Sequence, residues 1–286
     1  MGRAGRQLQL AGVFASAITP HRTATPEVDF AGSLDLIDFL TNAGIKGVAL
    51  FSPIGEFLNY TFAERQRLVY LATKRSRIPL IANVSHSTLT GAIQLASEAV
   101  SAGADGLLLM PPYFYRCRQP EIEEFYLQFA RESRDAVPLL LHNAPQFTSA
   151  LEPDTVRRLI DTGHFAGIED DSGDPNNLAI LLQLKRDRPF AIMIGDERLA
   201  AQALREGADG IVSAAACAVP ELIVGHDEQL NEFLNWIERL PAPAGIKHAV
   251  ALRKQKSGPD LIPLAPATSQ LMQEFSAWFV KWLGSI

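Results

Sequence analysis

Short runs that are apolar nearly throughout alternate along the chain with longer stretches in which apolar residues recur every three or four positions. Four of the short runs repeat one another: NAGIKGVAL (42–50), AGADGLLLM (102–110), TGHFAGIED (162–170) and EGADGIVSA (206–214). Each reads as a helix end, a glycine suited to a left-handed C-cap, a tight turn and a strand rich in Leu or β-branched residues. Four more apolar runs, GVFASAITP (12–20), PLIANVSH (79–86), PLLLHNAP (138–145) and FAIMIGDE (190–197), bring the expected strands to eight. The stretches between them are helical in period. In PEIEEFYLQFARESRD, Ile122, Phe125, Tyr126 and Phe129 share one face behind acidic first-turn residues.

Strands without a polar face must be covered on both sides, so this alternation predicts a parallel sheet wrapped by helices. The fold class is α/β: eight such units in roughly 220 residues fit a closed (β/α)8 TIM barrel, for which about 250 residues is typical. An open doubly wound sheet is the alternative, but no G-x-G-x-x-G follows the first strand to support it. Three further helical stretches follow the eighth strand, within HDEQLNEFLNWIERL, PAPAGIKHAVALRKQKSG and TSQLMQEFSAWFVKWLGS. In the last, Leu271, Phe275, Trp278, Phe279 and Trp282 form one apolar stripe, read as packing surface. The expected organisation is a barrel over residues 1–225 and a three-helix extension over 226–286 packed on it, with PAPAG as a turn between helices.

Composition changes this picture little. The 286 residues, 47% of them hydrophobic and 20% charged, suffice for one large core. A net charge of -6 without a clustered Lys/Arg face excludes nucleic acid and anionic membrane as expected partners. The N-terminal MGRAGRQLQLAG lacks the apolar run of a signal peptide, and no later segment reaches the length of a membrane span. A cytoplasmic location is therefore expected. Cys117 and Cys217 lie far apart, outside any metal-type pair, and read as small buried hydrophobes.

Barrels of this kind place their chemistry at the carboxyl ends of the strands. Those ends are Ser52 to Glu56, Ser85 with His86, Pro112 to Tyr115, His142 to Thr148, Glu169 to Ser172, Asp196 with Glu197, and Ser213. The set is acidic and contains no lysine. Three consecutive carboxylates, Glu169, Asp170 and Asp171, stand in GIEDDSGDP (167–175) where the sixth strand ends. Side chains alternate along a strand, so if Glu169 faces the barrel axis Asp171 does too, while Asp170 turns towards the helices. His142, on the neighbouring strand, would also face inward.

At these positions the chain resembles the family of dihydrodipicolinate synthase and N-acetylneuraminate lyase, which makes or breaks carbon-carbon bonds through a lysine Schiff base with pyruvate. The likeness runs from ITP in strand one through FSPIGE, LNYTFAERQRLV, MPPYFYR, HNAPQFT, GIEDDSG, IGDE and GIVS to IKHAVAL and LIPLAP. Against the family's patterns, however, Glu169 stands at the Schiff-base lysine. Pro53 and Ile54 replace both threonines of the carboxylate-binding turn, while Gly55 and Glu56 remain. His142 and Phe114 take the places of the two relay tyrosines, and Phe147 that of the carboxylate-binding arginine. Tyr113, Asn143, Pro145 and Thr148 keep the frame.

A Schiff base needs an amine that can lose its proton, which a carboxylate does not provide. An ionised Glu169 about 4 Å from a 2-oxo acid carboxylate would repel it by about 4 kcal/mol at an effective dielectric near 20. The site is therefore expected to favour a neutral polyol, an amine or a metal-held ligand. His142 and Glu169 are the expected catalytic residues, as an acid/base group and its partner carboxylate. Gly55, Glu56, Tyr113, Asn143, Asp171, Asp196 and Ser213 are expected to bind the ligand. No cofactor is required; a divalent metal held by His142, Glu169 and Asp171, with or without His86, is the other chemistry these residue types allow. Two functions stay open: a lyase, aldolase or hydratase acting on a small hydroxylated metabolite without the lysine, and a non-catalytic homologue that binds a metabolite or partner barrels. The resemblance implies a homodimer or homotetramer.

Overall fold

The computed structural model of the chain describes residues 8–23, 25–133 and 136–284. Residues 1–7, on which part of the N-terminal reading rests, lie outside the described residues. Eight strands, β1 (Gly12–Ser16), β2 (Gly47–Leu50), β3 (Leu80–Asn83), β4 (Gly106–Leu109), β5 (Leu139–Asn143), β6 (Gly167–Asp170), β7 (Ala191–Ile194) and β8 (Gly210–Ser213), form a closed parallel barrel in sequential order. Strand β8 returns to β1 through the register Val13↔Ile211 and Phe14↔Val212. Strands β1, β3, β5 and β7 are shorter than their apolar runs because those runs continue into the loop at the carboxyl end. The four repeated glycines, Gly44, Gly103, Gly163 and Gly207, all take positive φ, between 79° and 114°.

Helices α1 (Phe30–Asn42), α2 (Phe62–Arg75), α3 (Leu89–Ala102), α4 (Gln119–Ser133), α5 (Pro153–Asp161), α6 (Pro175–Asp187) and α7 (Glu197–Glu206) fill the crossovers. Their starts are written locally. Thr61 and Glu64 close a reciprocal capping box at α2, and Asp174 caps α6 just ahead of Pro175. Two cores result. Between barrel and helices, Leu36, Leu68, Phe129, Ile168 and Ile192 belong to one continuous apolar layer. Inside the barrel, Phe14, Ala49, Ile81, Leu108, Leu140, Met193 and Val212 pack with Leu8 into a separate plug. Phe14 fits there because Gly47 has no side chain: a Cβ at that position would lie 2.1 Å from the ring.

After β8 the chain makes a short turn and a fourth helix that the sequence reading lacks, α8 (Pro220–Gly225), six residues being too few to display a period. The three expected helices follow as α9 (Leu230–Ile237), α10 (Ala244–Leu252) and α11 (Pro266–Leu283). The aromatic stripe of α11 packs on α9: Phe233 lies 5.7 Å from Phe279 and 6.2 Å from Trp282, and Trp236 stacks on Trp278 at 5.6 Å. No helix among the described residues is long and apolar enough to cross a membrane.

Candidate active site

Strands β5 and β6 bring the two central groups together. Their register sets His142 opposite Glu169, and both follow the inward phase of Leu140 and Gly167. His142 is 1% and Glu169 4% exposed, at the upper end of the barrel interior. His142 Nε2 stands 3.7 Å from Glu169 Oε1, too far for a hydrogen bond. Neither ring nitrogen of His142 has a hydrogen-bond partner. Burial disfavours charge on both groups: it pushes the imidazole down to about 3 and the Glu169 carboxyl well above its usual range, the latter assisted by Asp171 and Asp170. Burial thus favours the neutral form of each, an uncharged imidazole and a carboxylic acid, over an ion pair.

Asp171, one residue beyond β6, continues the inward phase. Its Oδ2 accepts a hydrogen bond from Gln146 Nε2 at 2.5 Å, and Gly195 gives it room, since a Cβ there would come within 2.9 Å of Oδ1. Burial, then the nearby carboxyls of Glu197, Asp196 and Asp170, lifts Asp171 to about 7 against the Gln146 bond. Glu197 opens α7 and turns back to the barrel, where its Oε1 accepts from the Ser213 hydroxyl and the Ala215 amide, each at 2.9 Å. Its carboxyl is also raised by burial. Asp170 points the other way: Asn143 and Asn177 donate to its Oδ1 at 2.6 and 3.1 Å, and Ser172 to its Oδ2 at 2.9 Å.

These groups face one cavity of about 160 Å³ at the barrel mouth, lined by Ser16, Pro53, Ile54, His142, Gln146, Phe147, Glu169, Asp171, Gly195, Glu197, Val212 and Ala214. Of the expected site residues it gathers His142, Glu169 and Asp171. The others lie off its lining. Glu56, in a left-handed turn, accepts from Lys247 Nζ of α10 at 3.0 Å, and that ammonium also meets Pro259 O at 2.9 Å and His21 Nε2 at 3.1 Å. Gly55 is packed on Ala17 O, and Tyr113 stands edge-on to Phe57 at 5.6 Å. Asn143 ties β5 to Asp170 and to the Leu151 amide, Asp196 caps α7 through the Leu199 amide, and Ser213 is held by Glu197. His86 is occupied by Thr88. No set of three His, Cys, Asp or Glu donors among the described residues converges as a metal ion requires, so His142, Glu169 and Asp171 share a cavity without forming a metal cage.

Three polar lining residues, Ser16, Gln146 and Glu197, escaped the site assignment made from sequence. Ser16 follows Phe14 in the inward phase of β1 and meets Ser52 Oγ at 2.5 Å. Gln146 sits inside the HNAPQFT loop. Glu197 stands at a strand end but also in the first helical turn, where an acidic residue reads as dipole chemistry.

The arrangement can now be compared with known proteins. A 4-hydroxy-tetrahydrodipicolinate synthase of Methanothrix thermoacetophila is 30% identical over 280 residues, 91% of this chain and 92% of the relative. Among solved structures, the 4-hydroxy-tetrahydrodipicolinate synthase of Methylacidiphilum fumariolicum SolV superposes with a TM-score of 0.85 at 23% identity, covering 97% of this chain and 98% of that one. The 2-keto 3-deoxygluconate aldolase of Picrophilus torridus gives 0.82 at 22% identity, covering 89% and 99%. A sequence profile of the Dihydrodipicolinate synthetase family matches residues 9–281. With nearly its whole length accounted for by that profile, the chain belongs to the Dihydrodipicolinate synthetase family.

Proposed function

We propose that the protein is a lyase of the aldolase type that works on a small hydroxylated metabolite without a lysine Schiff base. The observation that carries this is the pairing of Glu169 with an unpartnered His142 on the wall of a mouth cavity lined, among the described residues, by no lysine. Lys247 is the buried lysine nearest in role, and its ammonium is engaged by Glu56, Pro259 and His21. The relay tyrosines and the anion-binding arginine of the resembled pattern are replaced at the same time, which accords with a changed reaction.

The chemistry follows from two neutral groups 3.7 Å apart. One ligand oxygen can hydrogen-bond to both at roughly 2.8 Å each. In carbon-carbon cleavage of a β-hydroxy carbonyl compound the hydroxyl proton passes to His142 Nε2, the hydroxyl becomes a carbonyl, and the bond to the carbon next to the ligand's own carbonyl breaks. Its electron pair stays on that carbon as an enolate, which takes the proton of the Glu169 carboxyl. As Glu169 ionises, its charge raises the basicity of the imidazole beside it, so the pair moves its protons together. The resulting imidazolium and carboxylate exchange one proton and return to the starting state.

Borohydride reduction in the presence of pyruvate, read by intact mass, tests the absence of the Schiff base. An unmodified mass is expected. A reduced pyruvyl adduct on any lysine would refute the proposal. By the same reading the protein works in the cytoplasm and assembles as a homodimer or homotetramer, which sedimentation equilibrium would check.

A further inference from the structure

The acidic wall of the cavity exceeds what the Glu169 and His142 pair requires. Asp171 and Glu197 also line it, each anchored through one oxygen: Asp171 Oδ2 by Gln146, Glu197 Oε1 by Ser213 and Ala215. Among the described residues neither lysine nor arginine is on the lining, and Pro53, Ile54 and Val212 make part of it apolar. Burial opposes ionisation of Glu169, Asp171 and Glu197, and the nearby carboxyls of Glu197 and Asp196 oppose that of Asp171 further, which a bound cation would offset. The donors do not converge on a metal-sized point. An organic ammonium, whose N–H groups radiate towards several acceptors, suits dispersed carboxyls better. His142, buried on the same wall with both ring nitrogens unpartnered, supplies a separate sign that a polar ligand completes this site.

We infer that the ligand is a small amino alcohol that also carries a carbonyl β to its hydroxyl, its ammonium seated between Asp171 and Glu197 and its hydroxyl against His142. This rests on the reading of Glu169 and His142 as the proton-transfer pair and names the class of molecule on which they act. The cavity, about 160 Å³ at the barrel mouth, accepts a small ligand. A neutral polyol supplies no positive charge to favour an ionised Asp171 or Glu197, and a 2-oxo acid would bring a further negative charge.

The groups facing Asp171 are Glu169 and Asp170 of its own strand, His142 of β5, Gln146 of the following loop, and Asp196 and Glu197 at the start of α7; none is a fixed cation. An ammonium binds the ionised form of Asp171, which in the free protein requires loss of a proton below about pH 7. Its affinity therefore falls as pH falls through that value.

Calorimetric titration with 3-aminopropane-1,2-diol and glycerol, which differ by an ammonium in place of one hydroxyl, tests the inference. At pH 8 the amine is expected to bind at least about tenfold more tightly, and to lose about tenfold in affinity per pH unit below about 7, while glycerol stays level. Asp171→Asn and Glu197→Gln should each remove most of the advantage. Equal affinity for the two compounds, no binding of the amine, or a preference unchanged in both variants overturns the inference. The readout is binding and not turnover, so such a failure leaves the proton-transfer pair untouched, whereas a pyruvyl adduct in the borohydride experiment removes the pair whatever the diols do.

Discussion

Asp171→Asn is expected to make the protein more stable, and only above acidic pH. Asp171 titrates near 7 in the folded chain, because burial and the carboxyls of Glu197, Asp196 and Asp170 oppose its ionisation. In the unfolded chain an aspartate titrates near about 3.9. Between those values the folded protein binds more protons than the unfolded one, so stability falls as pH rises from about 4 to about 7 and is level beyond. Three pH units at about 1.36 kcal/mol each give roughly 4 kcal/mol as the ceiling on this loss. An asparagine does not titrate, keeps a carbonyl oxygen for Gln146 Nε2, and escapes the loss. In urea unfolding at pH 8 the variant should exceed the native protein by up to about 4 kcal/mol, which for a chain of this size is about 8 °C in Tm at roughly 2 °C per kcal/mol. At pH 4 the two should nearly coincide. A variant no more stable than the native protein at pH 8, or a gap of equal size at both pH values, would refute the electrostatic account of the cavity.

Three further outcomes are expected. Lys247→Ala strands Glu56 in a buried loop and should lower the unfolding free energy in urea by about 3 to 5 kcal/mol, with most of it recovered by the double replacement Lys247→Met and Glu56→Gln. Gly47→Ala drives a methyl into the Phe14 ring from 2.1 Å and should cost about 3 kcal/mol in the same assay. For whichever amino alcohol is turned over, His142→Ala should reduce kcat by about 10² to 10⁴ while Tm moves little; binding without turnover by the native protein would favour the non-catalytic reading.

The barrel was legible because its signals are local and repeated. A glycine that must take positive φ stands at the helix end ahead of four of the apolar strands, and Gly44, Gly103, Gly163 and Gly207 all adopt it. Strand alternation likewise sets His142, Glu169 and Asp171 on one cavity and sends Asp170 to Asn143 and Asn177. Alternation says nothing about loops, and most residues expected from loops or element ends went elsewhere. Glu56 is claimed by Lys247, which lies nearly two hundred residues away in α10, a partnership no local pattern encodes. Asp196 and Glu197 illustrate the same limit in reverse. Both stand at a helix start, where either could cap; the backbone gives the capping role to Asp196, which frees Glu197 to turn into the barrel.

The roles of the acidic residues follow from how each charge is compensated. Asp170 receives three side-chain hydrogen bonds and Glu56 a buried ammonium, so both stabilise the scaffold. Asp171 and Glu197 keep one anchored oxygen each, and Glu169 and His142 are held apart at 3.7 Å with burial favouring the neutral form of both. Compensation thus thins towards the cavity, and the free energy left unrecovered there is available to whatever enters it. A ligand that carries the missing positive charge and a hydroxyl for the unpartnered imidazole recovers the most, which is why charge, more than size or shape, is expected to decide what this barrel accepts.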